Sequence, residues 1–222
     1  MTASPSAEKQ KTRKQMRERR KALSRHEQHV AATQLVKIVE RQMLFQRCQH
    51  ISFYLANDGE IDPFHLMIAA HTMNKNCYLP VVKSDSSGTL DFVRYLPDSK
   101  LVANQYGIPE PVTTGNEIIS PQNLDLVFLP LVAFDPAGGR LGMGAGYYDR
   151  TFAVKSGERK SRTKLIGLAH DFQRLEQLPT EEWDIPMHAV ITESHVYTTG
   201  LETADGPYKD DFLPQDCHTT RG

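Results

Sequence analysis

The chain has 222 residues, 39% of them hydrophobic and 24% charged, with a formal net charge of -1. At ~100–200 residues per domain this is one domain with short appendages. The composition excludes wholesale disorder, and the chain carries neither the ~20-residue apolar run of a membrane span nor a secretion signal, so a soluble, cytoplasmic protein is expected.

Cys48, Cys77 and Cys217 form no CxxC pair and read as reduced structural thiols. Near-neutral charge argues against long-range attraction to nucleic acid. Locally the picture differs, because in 9–25 nine Lys and Arg face one acid, Glu18. Residues 1–8 are expected to be loose, and 9–23 to form a helix with Lys9, Arg13, Arg17 and Arg20 on one face. That face suits polyphosphate, and equally a solvated arm that brushes RNA. Ser24 and Glu27 form a capping box for a second helix, with Val30, Ala31, Leu35, Ile38, Val39 and Leu44 at three- and four-residue spacings.

Residues 51–55 (ISFYL) then predict a strand that runs into the turn-rich 56–60. Asp62 caps a helix through Thr72, with Pro63 at its first position. Strands follow at 77–82 and 90–95, then a polar connection containing Tyr106. The run 124–134 (LDLVFLPLVAF) reads as a central strand buried on both faces. A helix over 146–154 and strands at 164–169 and 189–192 complete the body, and 201–222 reads as a loose tail. Alternating strands and helices predict a single α/β domain over 9–200, with a mostly parallel sheet and right-handed crossovers.

Between the buried strand and the next helix lies RLGMGAGYYDR, residues 140–150. Ligands in open α/β sheets bind at the carboxyl ends of strands. Gly142, Gly144 and Gly146 admit positive φ and close approach to main-chain N–H groups, which suits a phosphate nest at a helix N-terminus. Arg140 and Arg150 add charge, and Asp149 suits a magnesium ion that also takes phosphate oxygens and water. The spacing is neither a Walker loop nor GxGxxG, so a plain tight turn remains an alternative. Glu60, at the end of the neighbouring strand, is placed to accept from amino groups of a substrate, or is a solvated turn carboxylate. Asp184 in EEWDIP is a second metal carboxylate or a loop charge. The nine histidines show no metal spacing, and His170-Asp171 reads as a strand-end pair rather than part of a nucleophilic triad.

Four separated segments converge: RKQMRERRKALS, SFYLANDGEID, LPLVAFDPAGGRLGMGAGYYDR and AHDFQRLEQLPTEEWDIPMHAVIT. In order and spacing they closely resemble the 5-formyltetrahydrofolate cyclo-ligase family, also called methenyltetrahydrofolate synthetase, over nearly all of 9–199. The resemblance implies ATP- and Mg²⁺-dependent conversion of 5-formyltetrahydrofolate to 5,10-methenyltetrahydrofolate. It also implies a fold like that of sugar-phosphate isomerases and CoA transferases. Carried over by residue, Lys9 and Arg13 meet ATP, as do Arg140, Leu141, Gly142, Met143, Gly144, Ala145, Gly146, Tyr147 and Tyr148. Leu55, Glu60 and 143–147 meet folate, and Asp149 and Asp184 hold the metal. Arg140, Tyr147 and Glu60 are the residues implied to carry the chemistry. Many relatives have Gly or Lys where this chain has Ala145, and an apolar residue is common where it has Thr12. A small-molecule substrate, no stable nucleic-acid or membrane partner, and a monomer or weak oligomer are expected. A non-catalytic nucleotide- or RNA-binding regulator and a small-molecule kinase are the rival readings.

Overall fold

A computed structural model describes residues 5–153, 162–181, 183–199, 202–203, 206–207 and 212. The expected tail at 201–222 and Cys217 lie almost wholly outside them. The basic helix α1 (Pro5–Ala22) begins earlier than the sequence predicts, so 5–8 are helical rather than loose. Ser24 caps α2 (Arg25–Glu40) as expected: its hydroxyl accepts from the Glu27 N–H, and Glu27 accepts in return from the Ser24 N–H. The predicted single helix through Leu44 is two, with α3 (Met43–Arg47) following a break. Val30, expected in the apolar stripe, is exposed.

Strand β1 (His50–Ser52) leads to α4 (Phe64–Thr72), which starts one residue later than expected. Pro63, expected at the first helical position, is instead the N-cap residue, and Asp62 before it does not cap the helix, although its carboxylate accepts from the Phe64 N–H at 2.9 Å. Then come β2 (Asn76–Val82), β3 (Leu90–Arg94), β4 (Leu101–Ala103), β5 (Pro109–Pro111) and β6 (Ile118–Ile119). The polar connection containing Tyr106 holds the β4–β5 hairpin. The apolar run is not one strand: β7 (Leu126–Pro130) ends at Pro130, which lacks the N–H that would carry the ladder on. Its remainder supplies β8 (Ala133–Phe134), which folds back on β9 (Arg140–Leu141). The Asp135 carboxylate ties that turn, accepting from the N–H groups of Ala137, Gly139 and Leu178. Then come α5 (Tyr147–Phe152), β10 (Lys164–Leu168), β11 (Ala189–Ile191) and β12 (Val196–Thr198), followed by a short hairpin of β13 (Glu202–Thr203) and β14 (Gly206–Pro207) within the segment expected to be loose.

Eight strands form one sheet in the order β12-β11-β10-β7-β1-β2-β3-β6. The central five, β11 to β2, run parallel, while β12, β3 and β6 each pair antiparallel with their inner neighbours. Alternation along β7 sends Leu126 and Phe128 into a core with Leu35, Ile51 and Leu66, and Val127 and Leu129 into a second core with Phe92 and Leu165. Both faces are therefore covered, which explains the unbroken apolar sequence. After β1 the chain builds outward through β2 on one side, and from β7 through β10 on the other. The order thus reverses between β1 and β7, and a crevice opens at their carboxyl ends.

Candidate active site

That crevice is a cleft of about 1180 Å³. Single small ligands occupy roughly 300–1,000 Å³, so the space suits two substrates side by side. One wall is the glycine loop. Gly144 (φ 106) and Gly146 (φ 68) take the left-handed conformations expected of them, whereas Gly142 does not. At Gly142 a Cβ would meet only the Arg140 guanidinium, at an ordinary 3.6 Å, so conformation does not demand glycine there. Among the described residues, the N–H groups of Met143, Gly144, Ala145 and Gly146 donate to no protein acceptor. They are open donors at the start of α5.

Helix α1 brings cations to this wall. Arg13 Nε donates to the Gly142 carbonyl at 2.9 Å, and Lys9 Nζ lies 3.3 Å from Glu181 and 3.6 Å from Asp184. The expected single basic face is divided: Lys9 and Arg13 reach the loop, while Arg17 and Arg20 turn to Asp58. Arg140 is ion-paired with Asp149 and lies against the Tyr148 ring. Arg150 Nε donates to Gly88 O at 2.8 Å and Nη2 to Ala145 O at 2.6 Å, and its guanidinium covers the Tyr147 ring. A cation thus stands beside Ala145 although its side chain carries none.

Asp149 and Asp184 line the same cleft. Asp149 also accepts from the N–H of Ile185, the neighbour of Asp184, so the backbone brings the two acids to one place. Among the described residues no group of three His, Cys, Asp or Glu has metal-holding geometry. Asp149 is engaged by Arg140 and Asp184 by Lys9, yet two neighbouring carboxylates still suit magnesium, which takes few protein ligands and fills its shell with phosphate oxygens and water.

The opposite wall is built on the end of β1. Leu55 and Glu60 line it, as the sequence predicts. Burial pushes the Glu60 carboxyl up to about 7; the Asn57 N–H and Arg20 oppose this, and Asp58 adds to it. Burial also raises Tyr148 and, well above the ordinary range, Tyr54. For Asp58 burial works upward too, but hydrogen bonds from Arg17, Lys21 and Arg20 outweigh it and hold this carboxyl far below the usual range. Tyr147 OH meets Tyr106 OH at 2.8 Å and accepts from Gln105 at 3.1 Å, so the β4–β5 hairpin closes over the loop.

Sequence reasoning missed the buried Arg20, Asp58, and the contact between the hairpin and Tyr147. Only Arg20, three places after Arg17 in a basic run, carried a readable signal. His170 and Asp171 do not pair: His170 stacks on Phe172 under the Gly59 carbonyl, while Asp171 accepts from Thr192, Tyr197 and His195. Cys48 and Cys77 are buried, and burial pushes Cys77 up to about 12. Among the described residues no helix is long and apolar enough to cross a membrane.

The model of the 5-formyltetrahydrofolate cyclo-ligase family matches residues 5–193. The chain is 38% identical to 5-formyltetrahydrofolate cyclo-ligase of Haemophilus influenzae over 183 residues, 82% of this chain and 96% of the relative. It is likewise 38% identical to that of Escherichia coli over 182 residues, 82% of this chain and 98% of the relative. The NMR structure of Aquifex aeolicus 5,10-methenyltetrahydrofolate synthetase superposes with a TM-score of 0.73 at 28% identity, covering 96% of this chain and 98% of the other. With the glycine loop, its cations and Glu60 gathered in one cleft, the chain belongs to the 5-formyltetrahydrofolate cyclo-ligase family.

Proposed function

We propose that the chain is a cytoplasmic enzyme that uses ATP to convert 5-formyltetrahydrofolate to 5,10-methenyltetrahydrofolate, releasing ADP and phosphate. We also place its sheet with the sugar-phosphate isomerase and CoA-transferase arrangement. The observation that carries the reading is the two-walled cleft: open amides and cations for a polyphosphate on one wall, a buried carboxylate for a ring with N–H donors on the other.

A formyl amide is a poor electrophile for the neighbouring ring-side amine. Attack of the formyl oxygen on the γ-phosphorus breaks the bond to ADP and makes phosphate the later leaving group in place of oxide. The amine then attacks the activated carbon, loses its proton, and the carbon–oxygen bond breaks with release of phosphate. Phosphoryl transfer asks the protein chiefly for positioning and charge stabilisation. The amides of 143–146, Arg13 and Arg140 hold the phosphates, with Lys9 and residues 141–148 around the nucleotide. Magnesium, held by Asp149 and Asp184, supplies further neutralisation of phosphate charge when bound. Glu60 accepts from the pterin N–H groups beside Leu55, while Met143 and Tyr147 offer their faces to the ring.

The test is a single assay with 5-formyltetrahydrofolate, ATP and Mg²⁺. Rising methenyl absorbance with ADP and phosphate in equal amounts supports the reading. ADP without free phosphate would instead identify a kinase, and no turnover a binding protein.

A further inference from the structure

Arg20 is the one cation of α1 whose side chain is 0% exposed. A guanidinium withdrawn from water is costly unless its donors find partners, and its partners all belong to the cleft floor. Nη2 donates to Asp58 Oδ2 at 3.0 Å, Nη1 donates to Leu131 O at 3.3 Å, and Nη1 stands 3.8 Å from Glu60 Oε1. One side chain therefore joins α1, the 57–60 turn and the exit of β7. Nε finds no acceptor among the described residues.

Asp58 gathers Arg17, Arg20 and Lys21 together, although it sits at φ 53, where non-glycine residues are uncommon. Gly59 follows at φ 75, and a Cβ there would come within 3.0 Å of the Arg20 backbone. The turn is thus pressed onto the helix on one side, while His170 Nε2 lies 3.3 Å from Gly59 O on the other. What this clamp determines is the aim of Glu60, whose Oε2 accepts from the Asn57 N–H at 3.0 Å while Oε1 faces Arg20.

We propose that Arg20, acting with Asp58, is a positioning residue for Glu60: it holds the 57–60 turn against α1 and the β7 exit, so that the carboxylate keeps one orientation toward the folate half of the cleft. This rests on the function proposed above. A carboxylate that receives two ring N–H groups must present both oxygens in fixed directions, and small misplacements cost binding and rate.

The experiment compares full-length Arg20→Met, Asp58→Asn and Glu60→Gln with the unaltered protein, measuring kcat and KM for 5-formyltetrahydrofolate across pH. The groups facing Glu60 are Arg20 from α1, Asp58 and Asn57 from its own turn, Tyr54 from beyond β1, and Tyr148 from α5. All three variants are expected to raise KM at least tenfold. Loss of the Arg20 cation moves the acidic limb of kcat/KM to higher pH, and loss of the Asp58 anion moves it lower. A merely structural pair would lower Tm without displacing that limb in opposite senses.

Folded Arg20→Met with unchanged KM and limb overturns the proposal. If Arg20→Met does not fold, Asp58→Asn decides on the same criteria. A normal KM in Glu60→Gln alongside a raised KM in Arg20→Met also overturns it, since Arg20 would then act elsewhere. Failure of the unaltered protein to form the methenyl product overturns the proposed function instead.

Discussion

Glu60 sets stability and activity against each other. Its carboxyl titrates near about 7 in the fold and at 4.5 in the reference state. Between those values the unfolded chain is ionised while the native protein holds the proton, so the native state binds more protons and stability falls as pH rises. If Glu60 receives pterin N–H groups as proposed, only its ionised form accepts both, and activity is expected to climb through the same window. Glu60→Gln is expected to lose folate affinity and to escape the loss of stability. Relative to the unaltered protein it should gain on the order of 3 kcal/mol between pH 4.5 and pH 8. Urea melts at both ends of that window check this, and a constant difference would show that Glu60 is not shifted. At the other wall, Asp149→Asn weakens both the pairing with Arg140 and the carboxylate proposed for the metal. Turnover should fall about 100-fold or more, and a near-normal rate at saturating Mg²⁺ would refute the metal assignment.

Two element boundaries carry most of the local specification. The reciprocal bonds between Ser24 and Glu27 start α2, and Ser24→Ala should cost about 1 kcal/mol, read as a lower urea midpoint with unchanged slope. At the glycine loop, Gly144 has φ 106 and its missing Cβ would lie 3.6 Å from Arg13. Gly144→Val should therefore cut ATP affinity more than tenfold in a protein that still folds, and calorimetry showing unaltered affinity would refute the cradle. Both features were legible because they depend on short-range chemistry: a capping box lies within four residues and a glycine loop within seven. The strand at 77–82 and the burial of 124–134 were legible for a similar reason, since pattern alone reports burial on both faces. The early end of β7 at Pro130 was missed because an apolar run reports burial and not hydrogen bonding. The β4–β5 hairpin was missed because β4 is exposed throughout and β5, Pro-Glu-Pro, has few ladder donors, so neither shows an apolar alternation. Of the site residues, Glu60 and Asp149 could be read from motifs. The sequence groups Arg20 with Lys9, Arg13 and Arg17 on one face, because only tertiary contact with Asp58 sets it apart.

For the molecule as a whole, the consequence is that α1 is anchored unevenly. Its second half is fastened to the body by buried Met16, packed on Val132, Ala133 and Leu141, and by buried Arg20. Before Met16 none of the described side chains is buried, and Lys9 and Arg13 supply polar links to the body. Segments with few buried apolar contacts open at the low end of the stability range, so 6–14 should exchange amide protons faster than 16–22. The same segment supplies two cations to the wall proposed to hold phosphates. A bound triphosphate would add charge-assisted contacts to Lys9 and Arg13 that the free protein makes only to Glu181, Asp184 and a carbonyl. Hydrogen exchange followed with and without Mg²⁺ and a non-hydrolysable ATP analogue should therefore show protection of 6–14 rising more than tenfold. The β7 strand, already buried on both sides, should change little. Equal protection of 6–14 in both conditions would place the triphosphate away from α1 and leave the glycine loop to hold it without the helix.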